Sequence, residues 1–238
     1  MNIALIGYGK MGKEIELAAI QRNHKIVSII DVDNQKDFDS KEFLSAQAAI
    51  EFTRPESALN NFEKCFQRNI PVVAGTTGWY DSIETLRSKV LNGGHSFLYA
   101  SNFSVGVNIL FALNRYLAQI MNRFEEYDVS MEEIHHVRKL DSPSGTAITL
   151  AQGITDNIRR KKYPSQNTTN TTENLTILSR REGETTGIHK VTYESDSDLI
   201  TIRHDAKNRK GFATGAVIAA EFLQGKSGFY EMNDVLNL

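Results

Sequence analysis

At 238 residues the chain is too long for one small module and long enough for two compact domains. Hydrophobic residues make up 40% and supply a sizeable core, while a net charge of −2 argues against nucleic acid as a partner. No apolar run reaches the ~18 residues of a membrane span; Lys10 and Lys13 follow the apolar start, the wrong order for a signal peptide; and a lone cysteine, Cys65, excludes an internal disulfide and fits a reducing cytoplasm.

Residues 2–7, Asn-Ile-Ala-Leu-Ile-Gly, predict a strand at the N-terminus. Gly7-Tyr8-Gly9-Lys10-Met11-Gly12 follows, and Ile15, Ala18, Ala19 and Ile20 continue at helical spacing. A G-x-G-x-x-G run between strand and helix points to dinucleotide binding. The first glycine permits a tight turn, the second lets the backbone approach a pyrophosphate, and the third lets helix and strand pack closely. Residues 25–31 are the second strand, ending on Asp31, which can accept hydrogen bonds from ribose hydroxyls and would repel a 2′-phosphate. Val32 follows instead of an arginine, so NADH is expected in preference to NADPH.

Residues 33–47 are polar and short for a full strand–helix unit. Residues 48–53 are the third strand, and Arg54-Pro55-Glu56 opens a helix to about Arg68. Arg54 reads equally as a cofactor contact and as a solvated loop charge. Cys65 falls with Ala58, Phe62 and Phe66 on a helix face and reads as a core thiol. A fourth strand starts at Pro71 and leaves through Gly75-Thr76-Thr77-Gly78, small and hydroxylated residues that allow close approach of a nicotinamide. A helix over about 80–92 and a fifth strand over 95–103, ending Ala100-Ser101-Asn102-Phe103, complete the alternation. That alternation predicts a Rossmann-type doubly wound parallel sheet, with the polar strand ends along one edge.

A helix from about Val105 to Arg123 leads into a different pattern. Residues 127–136 alternate as a strand, with Val129, Met131, Glu133 and His135 on one face and Glu132, Ile134 and His136 on the other. A helix runs from Ser144-Gly145-Thr146 to about Lys162, residues 163–173 are a polar loop, and three strands follow over 175–181, 187–194 and 198–204. This predicts an α+β domain with a mixed, largely antiparallel sheet. The Asn-x-Thr matches at Asn167, Asn170 and Asn174, and Asn102-Phe103-Ser104, read as chance. Residues 213–223 form a last helix, and the tail beyond it packs back on the first domain. The expected domains are 1–104 with 212–238 for the dinucleotide, and 105–211 for substrate and oligomerisation.

The stretch 133–147 carries the chemistry. Ser144 is a candidate N-cap, leaving the amides of Gly145, Thr146 and Ala147 as unpaired donors that, with the Thr146 hydroxyl, make a carboxylate-sized anion site. Lys139 adds positive charge, and Lys139 or His135 can supply the proton that accompanies a hydride. No H-E-x-x-H run or cysteine spacing supports a metal site, and none is expected.

The run Glu133-Ile-His135-His136-Val-Arg-Lys139-Leu-Asp141-Ser-Pro-Ser144-Gly145-Thr146-Ala147 resembles the dihydrodipicolinate reductase family pattern E-x-x-H-H-x-x-K-x-D-[AS]-P-S-G-T-A, entered from Glu132 or Glu133. The resemblance extends to Phe52-Thr-Arg-Pro, Gly75-Thr-Thr-Gly78, Asn102 to Asn108, Arg181-x-Gly183, Gly187-x-His189 and Phe212 to Ala216. It implies NAD(P)H-dependent reduction of 4-hydroxy-tetrahydrodipicolinate, with loss of water, in lysine and diaminopimelate biosynthesis by a cytoplasmic homotetramer. It further implies that His135 and Lys139 are catalytic, and that His136, Ser144, Gly145 and Thr146 bind substrate. Gly7 to Gly12, Asp31, Gly75 to Thr77 and Ala100 to Phe103 would bind the cofactor. Val32 stands where many members of that family carry arginine. The other readings of the residues are a nucleotide sensor without catalysis and a different dehydrogenase, such as one acting on homoserine or aspartate.

Overall fold

Ile3, Ala4, Leu5 and Ile6 are all buried, which suits a strand covered on both faces and so a parallel sheet between helices. The computed structural model of the chain describes residues 1–165 and 173–238. It opens β1 (Asn2–Ile6), α1 (Lys10–Gln21), β2 (Lys25–Ile30), α2 (Lys41–Leu44), β3 (Ala48–Glu51) and α3 (Pro55–Phe66). Then come β4 (Val72–Ala74), α4 (Ile83–Gly93), β5 (Ser96–Tyr99), α5 (Val105–Met121), β6 (Asp128–His135) and α6 (Gly145–Thr155). β7 (Lys162–Ser165), β8 (Asn174–Arg181), β9 (Ile188–Glu194) and β10 (Leu199–Asp205) follow, and α7 (Lys210–Phe222), β11 (Gly228–Tyr230) and α8 (Met232–Leu236) close the chain.

By contacts the chain divides into one unit of residues 1–105 and 209–238 and another of residues 106–208. The first unit is a six-stranded parallel sheet in the order β11-β5-β4-β3-β1-β2. Ile15 and Ala19 of α1 pack with Ala216 and Ala220 of α7 over one face. Phe62 and Phe66 of α3 and Val90 of α4 cover the other, with Cys65 among them as a buried thiol. The polar stretch 33–47 makes only a 3-10 run over Val32–Asp39 and the single turn α2, a shortened crossover. The tail adds a strand that the sequence does not predict: β11 pairs with β5 at the sheet edge. Its three residues are too few to show a period of two.

The second unit is a five-stranded sheet in the order β10-β9-β6-β8-β7. It is mixed, as expected, but its pairings divide evenly instead of being mainly antiparallel. β9 is antiparallel to both β10 and β6, whereas β8 is parallel to both β6 and β7. The reason is connectivity. Helix α6 returns the chain between β6 and β8, so these two run the same way, and β6 then separates β8 from β9, its successor in sequence. Helix α6 stops at Thr155, short of the expected Lys162, and β7 occupies residues expected as loop. Asn167 and Asn170 lie outside the described residues. The core of this unit joins Leu110 and Ala118 of α5, Leu150 and Ile154 of α6, and Val129 and Met131 of β6.

Candidate active site

The candidate site residues fall into two groups, one in each unit. In the first, the glycine run divides its work as the spacing implies. Gly7 has φ +89°, and a Cβ on it would overlap the Phe52 carbonyl. A Cβ on Gly12 would overlap the carbonyl of Gly7. Gly9 is different: a Cβ there meets nothing within 4 Å. It is the N-cap of α1, no side chain caps that helix, and its first turn therefore offers amide donors and the positive end of the helix dipole to an anion.

A cavity of about 450 Å³ lies against Gly7, Gly9, Asp31, Thr53 and Arg54, and a second of about 360 Å³ against Lys10, Gly12, Gly75 and Thr76. Both lie at the carboxyl ends of parallel strands, where doubly wound sheets bind ligands. The residues fit a dinucleotide, because the open face is at Gly9, where a pyrophosphate needs it. Asp31 lines the larger cavity, its carboxylate accepting from the amides of Tyr8 at 3.1 Å and Val32 at 2.8 Å. Arg54, left open by the sequence, lines the same cavity. Tyr8, Met11 and Thr77 also line these spaces, whereas Ala100, Ser101, Asn102 and Phe103 line neither. Phe103 is buried, with its ring 5.7 Å from that of Phe52. A Gly9→Ala variant should keep the wild-type Tm and bind nucleotide roughly tenfold more weakly, about 1.4 kcal/mol. Unchanged affinity by fluorescence titration would show that the cofactor does not approach this backbone.

Beneath the cavities lies a carboxylate that sequence reading did not single out. Glu51 is fully buried at the end of β3. It accepts from the Thr53 hydroxyl and from Asn61 Nδ2, while its Oε2 has no hydrogen-bond partner. Burial pushes its pKa up from 4.5, and the hydrogen bonds of Thr53, Thr76 and Asn61 offset only part of this. Below the unfolded value both states hold the proton and stability is complete. As pH rises, the unfolded chain ionises first, so stability is lost until the folded value is passed. Measured from about pH 4 to about pH 8, the Tm of the wild type minus that of Glu51→Gln should therefore fall. A flat difference would mean that Glu51 ionises as readily folded as unfolded.

In the second unit the register of β6 assembles the other group. Glu133 lies opposite Ser179 on β8 and opposite His189 on β9, and His135 lies opposite Arg181. Period-two alternation sends Glu133 and His135 to the same, buried face. Both oxygens of Glu133 accept from the Ser144 amide, at 3.1 and 3.2 Å, and Oε1 also accepts from the Ser179 hydroxyl at 2.8 Å. Oε2 lies 3.4 Å from His135 Nδ1 and 3.7 Å from His189 Nε2. Burial alone would raise the Glu133 pKa, but the hydrogen bonds from Ser144 and Ser179 and the His135 charge together hold it below its ordinary value. Burial pushes His135 below the ordinary imidazole value against the pull of Glu133, and pushes His189 down to about 4. Glu132, one residue away, points to the other face and pairs with Lys190 at 2.6 Å and Arg180 at 3.0 Å.

Beyond β6 the chain turns towards α6. Lys139 Nζ pairs with Asp141 Oδ1 at 2.8 Å and holds that carboxyl below its usual range. Arg181 fastens this turn to β8, donating from Nε to the Lys139 carbonyl at 3.2 Å and from Nη2 to the Asp141 carbonyl at 2.6 Å. The Lys139 charge reaches His135, lowering its pKa. His136, past the strand end, is half-buried. Ser144 is the N-cap of α6, as expected, and its Oγ accepts from the Ala147 amide at 3.2 Å. That corrects the expectation of three unpaired first-turn amides: the cap takes Ala147. Ser144 is itself buried, with its hydroxyl also 3.2 Å from His189 Nε2, so its groups serve the turn. Gly145 is exposed, and a Cβ on it meets nothing within 4 Å.

Sequence reading missed the part played by Glu133, Ser179, Arg181 and His189. Arg181 and His189 stand in the Arg181-x-Gly183 and Gly187-x-His189 runs, a signal without a role attached. Gly187 leaves room for the imidazole, since its Cβ would come 3.1 Å from His135 Nε2.

Residues 1–103 match the family model for the N-terminus of dihydrodipicolinate reductase, and residues 106–236 match the model for its C-terminus. The chain is 48% identical over 237 residues to a 4-hydroxy-tetrahydrodipicolinate reductase of Christiangramia forsetii, covering 100% of this chain and 98% of that one. The enzyme of that name from Neisseria meningitidis is 36% identical over 200 residues, 79% of this chain and 72% of the relative. A dipicolinate-bound dihydrodipicolinate reductase from Paenisporosarcina sp. TG-14 has the same fold, with a TM-score of 0.78 at 22% identity over 98% of each chain. A probable dehydrogenase from Thermotoga maritima is more distant, with a TM-score of 0.57 at 8% identity over 99% of this chain and 92% of that one.

Proposed function

The chain belongs to the dihydrodipicolinate reductase family, and on that premise we propose how its residues divide the work of the reaction. It is a pyridine-nucleotide-dependent oxidoreductase of lysine and diaminopimelate biosynthesis that reduces 4-hydroxy-tetrahydrodipicolinate to tetrahydrodipicolinate with loss of water. The carrying observation is the 48% identity over 237 residues, which leaves no ground for a sensor or for a homoserine or aspartate dehydrogenase.

Loss of water from the cyclic hydroxylated imine leaves a conjugated imine. A reduced nicotinamide held by the glycine run would supply the hydride that the carbon which bore the hydroxyl receives. The adjoining carbon of the resulting enamine then needs a proton, and Lys139 donates it. Its side chain is 23% exposed, so solvent can reload it. The Gly145 amide at the α6 N-terminus and Thr146 hold one substrate carboxylate, with Ser144 keeping that turn in shape. His136 contacts the substrate beside them. Glu133 faces Nδ1 of His135 and so leaves Nε2 as the nitrogen that exchanges protons with the substrate.

In the first unit, Gly7 to Gly12 would hold the pyrophosphate, Asp31 the ribose hydroxyls, and Gly75 to Thr77 the nicotinamide side, with Ala100 to Phe103 backing that end. Asp31 and the absence of a basic residue at Val32 support NADH over NADPH. The test is oxidation of each nucleotide with freshly generated 4-hydroxy-tetrahydrodipicolinate. The expected result is a higher kcat/KM with NADH; an equal or higher value with NADPH overturns the preference. No helix of the described residues is long and apolar enough to cross a membrane. A cytoplasmic homotetramer is the assembly that family membership supports, and light scattering tests it.

A further inference from the structure

We propose that Glu133, His135 and His189 form a binding site for one divalent transition-metal ion of the zinc class, and that its occupation stops turnover. The second half rests on the role given above to His135; the first does not.

The site arises from strand register. Glu133 and His189 are direct partners across β6 and β9, and His135 follows Glu133 by two residues on the same face. Such neighbours place side-chain tips within reach of a single ion. One ligand atom from each of the three lies within 4.8 Å of the others. A tetrahedral ion with bonds of about 2.0–2.1 Å needs ligand atoms about 3.3 Å apart. The separations from Glu133 Oε2, 3.4 Å to His135 Nδ1 and 3.7 Å to His189 Nε2, are close to that.

The donor set is two imidazoles and a carboxylate, which suits zinc and its neighbours and leaves one position open. One of the three ligand atoms lacks a partner, while His189 Nε2 lies 3.2 Å from the Ser144 hydroxyl and Glu133 Oε2 accepts from the Ser144 amide at 3.2 Å, contacts that an ion would displace or share. His135 is 6% exposed, and its Nδ1 has no hydrogen bond although it faces Oε2 of Glu133. Burial favours the neutral imidazoles that a metal requires. Outer contacts hold the carboxylate: the Ser179 hydroxyl donates to Oε1, and the Ser144 amide is shared between both oxygens. The opposing charges are Arg181, whose Nη1 is 3.7 Å from Oε1, and Lys139, whose charge reaches both imidazoles. The other Arg181 nitrogens are committed to the carbonyls of Lys139 and Asp141.

An ion on Nδ1 leaves the ring's one proton on Nε2. His135 then cannot take up a second proton and does not readily release the one it has. Proton exchange between His135 and the substrate stops, and without it Lys139 alone does not sustain turnover, while none of the ligands comes from the nucleotide-binding unit.

The test uses the tag-free full chain, stripped with chelator. Zinc is titrated by calorimetry, cobalt by its visible absorption, and turnover is followed at each zinc level. The expected results are one ion per chain, cobalt bands of tetrahedral intensity, turnover lost in step with occupancy and restored by chelator, and unchanged NADH affinity. His189→Gln, close in volume but lacking the imidazole, should weaken zinc binding at least 10–100-fold and lose zinc sensitivity relative to its own zinc-free rate. Glu133→Gln should weaken cobalt and zinc binding likewise, which guards against one variant misfolding. No stoichiometric binding, or equal binding by wild type and both variants, overturns the site and leaves the reading of His135 standing. Binding at these residues with turnover retained overturns the inhibition and counts against His135 as the proton carrier.

Discussion

Lys139→Ala should lower turnover by roughly 10²–10³-fold and leave NADH affinity close to wild type. The residue sits in the turn between β6 and α6, while the nucleotide cradle is built from residues 7–12 of the other unit. Loss of fold does not confound the measurement. The Lys139–Asp141 pair has side chains 23% and 58% exposed, and an exposed pair contributes at most about 1 kcal/mol. Lys139→Arg separates charge from proton. A guanidinium keeps the positive charge but does not give up a proton near neutral pH, so this variant should bind substrate and still turn over slowly. Near-wild-type turnover in the alanine variant would remove Lys139 from the proton-donor role.

Glu133→Ala should be the most damaging single truncation for stability. It removes the acceptor of the Ser144 amide and the Ser179 hydroxyl, and it leaves Arg181 without the nearby carboxylate. Taking one partner from a buried charged network costs about 3–5 kcal/mol, and for a chain of this size that lowers Tm by roughly 6–20 °C. Activity should fall further than the folded fraction does, because His135 loses the group facing Nδ1 and the α6 turn loses its anchor. Glu132→Ala is the control. Its pairs with Lys190 and Arg180 are on the open face, so about 1 kcal/mol or less is expected. Thermal melts in which the two variants shift alike would refute the assignment of the buried network to Glu133.

Much of this was legible before the structure. The glycine run between an apolar stretch and a helical one identifies its own turn, because only residues without a Cβ fit at positions 7 and 12. Alternation along 127–136 places Glu133 with His135, since successive strand side chains take opposite faces. The Ser144 cap follows from local hydrogen-bonding chemistry, and the structure confines its effect to the Ala147 amide.

What could not be read locally depends on neighbours far along the chain. His189 is 56 residues from Glu133, and only the antiparallel pairing of β9 with β6 makes the two adjacent. Arg181 reaches the Lys139 turn only because β8 pairs parallel on the other side. The contrast between half-buried Glu132 and buried Glu133 needs the helices that cover one face. β11 joins the first sheet because the β5 edge is open to it, not because three residues demand a strand. The sequence by itself determined the family and the order and kind of most elements, β7 and β11 excepted, since periodicity, turn chemistry and motif are local. Strand order and register belong to the tertiary structure, because pairing and burial bring together residues that no local pattern connects. That pairing turned two histidines and a glutamate into one buried cluster.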